Sequence, residues 1–90
     1  MKQDTNIFAI IVSYNAMPWI DTCLGSIQAA GVPMQAIVVD NGSKDDTVAY
    51  IQKHYPNVIL LPQTQNLGFG QGNNAGISLA MHNGATHVLL

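Results

Sequence analysis

Arginine and glutamate are both missing from this 90-residue chain, and only 9% of its residues are charged, against about 25% in ordinary globular domains. Three lysines and a net charge of −2 leave no basic stripe for a phosphate backbone, so nucleic acid is not expected as a partner. The one cysteine, Cys23, has no partner for an internal disulfide; in a predicted helix it reads as a small buried hydrophobe, which suits a cytoplasmic setting. His54, His82 and His87 are scattered without metal-ligand spacing and read as solvated or helix-end side chains. The apolar stretch from Ile7 to Val12 is too short for a membrane span or an export signal, and Lys2 is followed by Asp4. A Walker loop is excluded because Gly-Lys-Ser/Thr does not occur.

What is present is apolar: 48% of the residues are hydrophobic. So little charge on so small a chain implies that part of the apolar surface meets further chain or another subunit. The run Thr86-His87-Val88-Leu89-Leu90 has no turn or polar residue after it. It reads as a strand cut short, and the chain is expected to be a fragment that forms a homo-oligomer when alone.

Strand and helix patterns alternate along the chain. Ile7 to Val12 is a continuous apolar run, the mark of a strand buried on both faces, and Ser13-Tyr14-Asn15 ends it. Pro18 suits a helix first turn, with Trp19, Ile20, Cys23, Leu24 and Ile27 at helical spacing up to Gly31. Ala36 to Val39 predicts a second strand. Ser43 follows as N-cap, with Asp45 and Asp46 in a helix first turn facing solvent, and Val48, Ile51 and Tyr55 as the apolar face before Pro56. Val58 to Leu61 predicts a third strand. A glycine loop then leads to a helix with Ala75, Ile77, Leu79, Ala80 and Met81, closed by Asn83-Gly84 before a last strand from Val88 to Leu90. This is an α/β class: a three-layer Rossmann-like arrangement of alternating β-α units on a mostly parallel sheet of about four strands, with polar residues gathered at the strands' carboxyl ends.

Two glycine-punctuated segments lie at those ends. In Val38-Val39-Asp40-Asn41-Gly42-Ser43, Asp40 closes a buried strand and needs donors to stay ionised. It either accepts from the amides of Gly42 and Ser43 and fixes the turn, or faces a pyrimidine with Asn41, the acid taking the ring N3–H and the amide donating to O4. Asp45 and Asp46 do not match a calcium loop. In the second segment, Gly70-Gln71-Gly72-Asn73-Asn74-Ala75 formally fits the dinucleotide fingerprint, but it follows the third strand and no acid lies about twenty residues on to hold a ribose. Its glycines either admit an anion to backbone N–H groups or let a helix pack closely on the sheet. Tyr14 either stacks on a base or pads the crevice.

Ile11-Val12-Ser13-Tyr14-Asn15, then Val38-Val39-Asp40-Asn41-Gly42-Ser43 with Asp46 and Thr47, then Asn66-Leu67-Gly68-Phe69-Gly70-Gln71-Gly72-Asn73-Asn74-Ala75-Gly76, together resemble the N-terminal half of a family 2 glycosyltransferase of GT-A fold. The Asp-Asn-Gly-Ser form with a Gly-Phe-Gly segment is most similar to rhamnosyltransferase-like members, which build bacterial surface polysaccharides from dTDP- or UDP-sugars. The resemblance implies a nucleotide site made of Val12, Ser13, Tyr14 and Asn15 lining the base, Asp40, Asn41, Gly42 and Ser43 at the base edge, and Asn66, Gly68, Phe69, Gly70 and Asn74 near ribose and pyrophosphate. Many relatives have an acid where Asn41 stands and an arginine where Asn73 stands; both changes remove charge and shift phosphate neutralisation to a metal.

For a full-length enzyme the resemblance implies Mg²⁺ or Mn²⁺ on an Asp-x-Asp-type motif after the last strand, a saccharide or lipid-linked saccharide acceptor, and inverting transfer. It implies a cytoplasmic location, at the inner face of the membrane. Residues 1–90 would be the N-terminal nucleotide-sugar-binding part, holding neither the metal nor a catalytic residue, and inactive alone. The alternative is a self-contained α/β nucleotide-binding or interaction module without catalysis. A dinucleotide-dependent oxidoreductase is more distant, for want of the ribose acid.

Overall fold

A computed structural model describes residues 5–90; Lys2 and Asp4, weighed above against an export signal, lie outside the described residues. Seven elements follow in the order β1 (Ile7–Ser13), α1 (Ile20–Gln28), β2 (Gln35–Asp40), α2 (Thr47–His54), β3 (Ile59–Pro62), α3 (Gly68–His82) and β4 (His87–Leu89). The strands form one sheet in the order β3-β2-β1-β4, and every neighbouring pair is parallel. The expected α/β class is therefore observed.

Parallel strands need crossovers, and these put helices on both faces of the sheet. Residue parity along the strands divides the core accordingly. On one face Ile20 and Leu24 of α1 and Ile51 of α2 pack with Ala16, Ala36 and Val38. On the other, Ala80 of α3 packs with Phe8, Ile10, Ile37 and Val39. The sheet is covered on both sides, which is why β1 and β2 read as unbroken apolar runs.

The element boundaries depart from the sequence reading in ways that matter for the site. Helix α1 begins at Ile20, after a turn in which the Trp19 and Ile20 amides both donate to Ala16 O (3.0 and 2.8 Å). Trp19 is accordingly 43% exposed instead of lying on the apolar face, because Ile20, Leu24 and Ile27, spaced four and three apart, already fill that stripe. Ser43 is not the N-cap of α2: that helix starts four residues later at Thr47, with Asp45 and Asp46 in the turn before it. The glycine segment is not a loop; α3 starts at Gly68 and contains Gly70, Gly72 and Gly76. Met81 points to solvent.

The chain moves outward from β1 to β2 to β3, and α3 then returns it to the far side of β1. Strand order therefore reverses between β1 and β4, the switch point above which open α/β sheets leave a crevice at the strands' carboxyl ends. Ser13, Asp40 and Pro62 stand side by side at that rim.

Candidate functional site

The rim is built around one buried carboxylate. Asp40 is only 1% exposed. Its Oδ1 accepts from the hydroxyls of Ser13 (2.8 Å) and Ser43 (2.6 Å), and its Oδ2 accepts from the Ser43 amide (2.8 Å). A buried carboxylate needs such donors, and here they join the end of β1 to the turn after β2. Of the two local readings, turn fixation is realised, although through Ser13 and both groups of Ser43 and not through the Gly42 amide.

Asn41 is also buried, at 2% exposure. Its Nδ2 donates to Gly68 O (3.1 Å), and its Oδ1 lies 3.4 Å from the Leu67 amide. Asn41 thus ties the β2 turn to the start of α3. Gly42 makes the same approach possible: it has φ +77°, and a Cβ there would stand 3.2 Å from the backbone of Gln65. Only glycine suits both conditions.

The start of α3 separates its glycines into two kinds. Gly68 has φ +85° and its amide donates to Asn66 Oδ1 (2.8 Å), while a Cβ on Gly70 would meet open space. Gly72 and Gly76 face the sheet instead. A Cβ on Gly72 would lie 2.9 Å from Val12 Cγ1, and one on Gly76 would collide with Ile10 Cγ2. Close packing therefore accounts for the second pair, while the first pair, with Phe69 (71% exposed) and Asn74, lies at the surface.

On the β1 side, Tyr14 is 43% exposed and Asn15 holds a left-handed φ of 49°, a conformation asparagine tolerates better than most residues. Asn15 Oδ1 accepts from the amides of Lys44 (2.8 Å) and Asp45 (3.3 Å), and its own amide donates to Ser43 Oγ (2.8 Å).

Asp45 and Asp46 are exposed, as expected of a helix start, but Asp45, with the buried Thr47, also holds this region. Asp45 Oδ2 accepts from the Met17 amide (3.3 Å), and Oδ1 accepts from the amide (3.0 Å) and the hydroxyl of Thr47. Thr47 Oγ1 in turn accepts from the Ala16 amide (2.9 Å). The Thr47 hydroxyl, helped by the amides of Thr47 and Met17, holds the Asp45 carboxyl below the usual carboxylate range. The legible signal was the serine, acid and threonine alternating at Ser43, Asp45 and Thr47, all able to reach back to nearby amides.

The sequence-predicted residues thus lie on three turns at the carboxyl ends of the strands, tied together by hydrogen bonds, with Asp40 and Asn41 buried and Tyr14, Asn15, Asn66, Gly68, Phe69 and Gly70 exposed. Among the described residues no three His, Cys, Asp or Glu side chains gather as metal ligands. No described helix is long and apolar enough to cross a membrane.

The model of the family described as glycosyl transferase family 2 matches residues 8–86. The chain belongs to that family. An N-acetylglucosaminyl-diphospho-decaprenol L-rhamnosyltransferase of Mycobacterium tuberculosis is 36% identical over 76 residues, 82% of this chain and 25% of that protein. A chondroitin synthase of Escherichia coli is 29% identical over 83 residues, 88% of this chain and 12% of that protein. The chain spans about a quarter or less of the curated relatives it matches. A mannosyltransferase from Pyrobaculum calidifontis, solved in complex with GDP-Man and Mn²⁺, superposes with a TM-score of 0.74 at 24% identity, covering 83% of this family 2 chain and 24% of its own. At that identity the likeness shows the fold alone, a GT-A Rossmann-like one.

Proposed function

We propose that residues 1–90 are the N-terminal donor-binding part of an inverting glycosyltransferase that takes a dTDP- or UDP-sugar and transfers the sugar to a saccharide or lipid-linked saccharide in bacterial surface polysaccharide synthesis. The observation that carries this reading is the joining of the β1 end, the β2 turn and the start of α3 at one rim of the sheet through the Asp40 and Asn41 hydrogen bonds. Tyr14 offers an exposed ring for stacking on a base. Among the described residues, Asp40 keeps one acceptor position free and Asn41 one amide hydrogen, the pair that a uracil or thymine edge needs. Both are nearly buried, so base contact requires the turn above them to open slightly. Gly42 and Ser43 shape that turn, Val12 and Ser13 back it, and Asn66, Gly68, Phe69, Gly70 and Asn74 line the side toward ribose and phosphates. The helix α3 start supplies amides to an anion there.

The described residues do not fit a divalent cation; in this reading the Mg²⁺ or Mn²⁺ expected of the whole enzyme, like its catalytic base and acceptor site, would be held by further residues. The enzyme is proposed to work in the cytoplasm, at the inner face of the membrane. Here the phosphates meet only backbone dipoles. Binding of dTDP or UDP is therefore expected with a dissociation constant no tighter than about 1 mM, on the order of 4 kcal/mol, and with no sugar transfer. NMR titration with dTDP, UDP, ADP and GDP tests this, and a clear preference for a purine nucleotide overturns it.

A further inference from the structure

The pairing register of β1 with β2 ends at Ser13, yet the residues after the exposed Tyr14 follow a defined path. Three successive amides are anchored on three side chains of the β2–α2 turn and the start of α2: Asn15 on Ser43 Oγ, Ala16 on Thr47 Oγ1 and Met17 on Asp45 Oδ2. The Thr47 hydroxyl accepts from Ala16 and donates to Asp45, so one side chain links two of the anchors. Ala16 and Thr47 are both fully buried. Without the hydroxyl the Ala16 amide would have no partner and no access to water. Asn15, at φ 49°, would also lose the surroundings that keep a non-glycine residue in a sparsely populated conformation.

We infer that Asp45 and Thr47 are positioning residues of the nucleotide site, which act through the β1–α1 loop to hold Tyr14 over the crevice opposite the first turn of α3. The inference rests on the nucleotide-site reading above. Neither residue touches the ligand; their effect on binding is transmitted by the three anchored amides. That separates them from Asp40 and Asn41, which are in the crevice floor.

Amide hydrogen exchange and nucleotide titration on the same variants test this. Thr47→Val keeps the side chain's branched shape and removes the hydroxyl, so exchange at Ala16 and Met17 should accelerate about tenfold or more. Amides in β2 and the C-terminal half of α3 should keep their protection. The dissociation constant for dTDP should rise about fivefold, a modest share of the anchoring energy, and Thr47→Ser should restore both readouts. Asp45→Asn retains an acceptor for Thr47 but can present a donor to Met17, so its exchange effect should centre on Met17. Trp19, the only tryptophan, lies two residues beyond Met17 and reports loop release by its fluorescence. Should Thr47→Val not fold, Asp45→Asn decides by the same pair of readouts. Faster exchange with unchanged dTDP affinity overturns the positioning role and leaves the site reading intact, as does unchanged exchange with unchanged affinity. Failure of the unaltered chain to bind dTDP or UDP overturns the site reading instead, and is seen before any variant is made.

Discussion

Gly72 and Gly76 lie one helical turn apart on the sheet-facing side of α3, whereas Gly70 faces open space. The same glycine-to-alanine change therefore has opposite signs along one helix. At Gly76 the new methyl group meets Ile10 on a β-branched, buried strand residue that cannot rotate away, and overpacking of this kind costs about 1–3 kcal/mol. At Gly70 alanine removes conformational freedom from the unfolded chain and stabilises by up to about 1 kcal/mol. Denaturant unfolding of both variants should show this divergence; equal effects would mean that α3 is seated differently on the sheet. Asp40→Asn belongs to the same scale. Its new amide would confront one of three donors now satisfied, so stability should fall by about 1–3 kcal/mol even without nucleotide.

At the scale of elements, α1 and α2 are joined outside the core by one carboxylate. Asp21 accepts from the hydroxyls of Tyr50 (2.7 Å) and Tyr55 (2.6 Å), and the Tyr50 ring lies 4.3 Å from that of His54. The Tyr55 hydroxyl, then that of Tyr50, holds Asp21 below its usual value of 3.8. Asp21 in return pushes Tyr55 from 10.0 up to about 12. The two shifts set opposite limits. For Asp21, lowered on folding, the stabilisation is complete above the ordinary value of 3.8 and disappears as pH falls through the lower folded value. For Tyr55, raised on folding, it is complete below 10.0 and disappears as pH rises toward 12. Tyr55→Phe should therefore remove the part of the alkaline stability loss that falls in that window, while Asp21→Asn should flatten both limbs. Thermal unfolding across pH checks this, and an unchanged alkaline limb in Tyr55→Phe would rule out the clamp. Nothing in the local sequence announced the contact, because Asp21 and Tyr55 are 34 positions apart and meet only when both helices dock on one face.

For the whole molecule, β3 and β4 are the edge strands of the sheet among the described residues, and the β4 side is the more apolar at the surface, with Leu89 at 51% and the following Leu90 at 73% exposure. Beside it an apolar groove of about 320 Å³ runs between β4 and α1, lined by Ile11, Cys23, Ile27, Met34, Leu89 and Leu90 among others. Few charges are available to keep such an edge from pairing. The chain alone should therefore self-associate, and sedimentation at several concentrations should show a dimer or larger species that dissociates on dilution. A monodisperse monomer at about 100 μM would count against association through this edge. Leu90→Lys, which adds a charge beside the edge, should weaken association without altering nucleotide affinity.

The order of strands and helices was readable because β-branched runs and helical apolar spacing are local properties, and so was the gathering of polar residues at strand ends, which follows from parallel connection. The family followed from three motifs in series. The boundaries of α2 and α3 were not readable, since Ser43 was drawn by the Asp40 carboxylate away from capping a helix, and the glycine run that reads as a loop enters α3, where Gly72 and Gly76 allow close approach to the sheet. Which acid does what was likewise decided by docking. Asp40 and Asp45 are both acids near a strand end in sequence, but burial turns one into the tie between the end of β1 and the turn after β2, while the reach of Thr47 and Met17 turns the other into a tie between the β1–α1 loop and the start of α2.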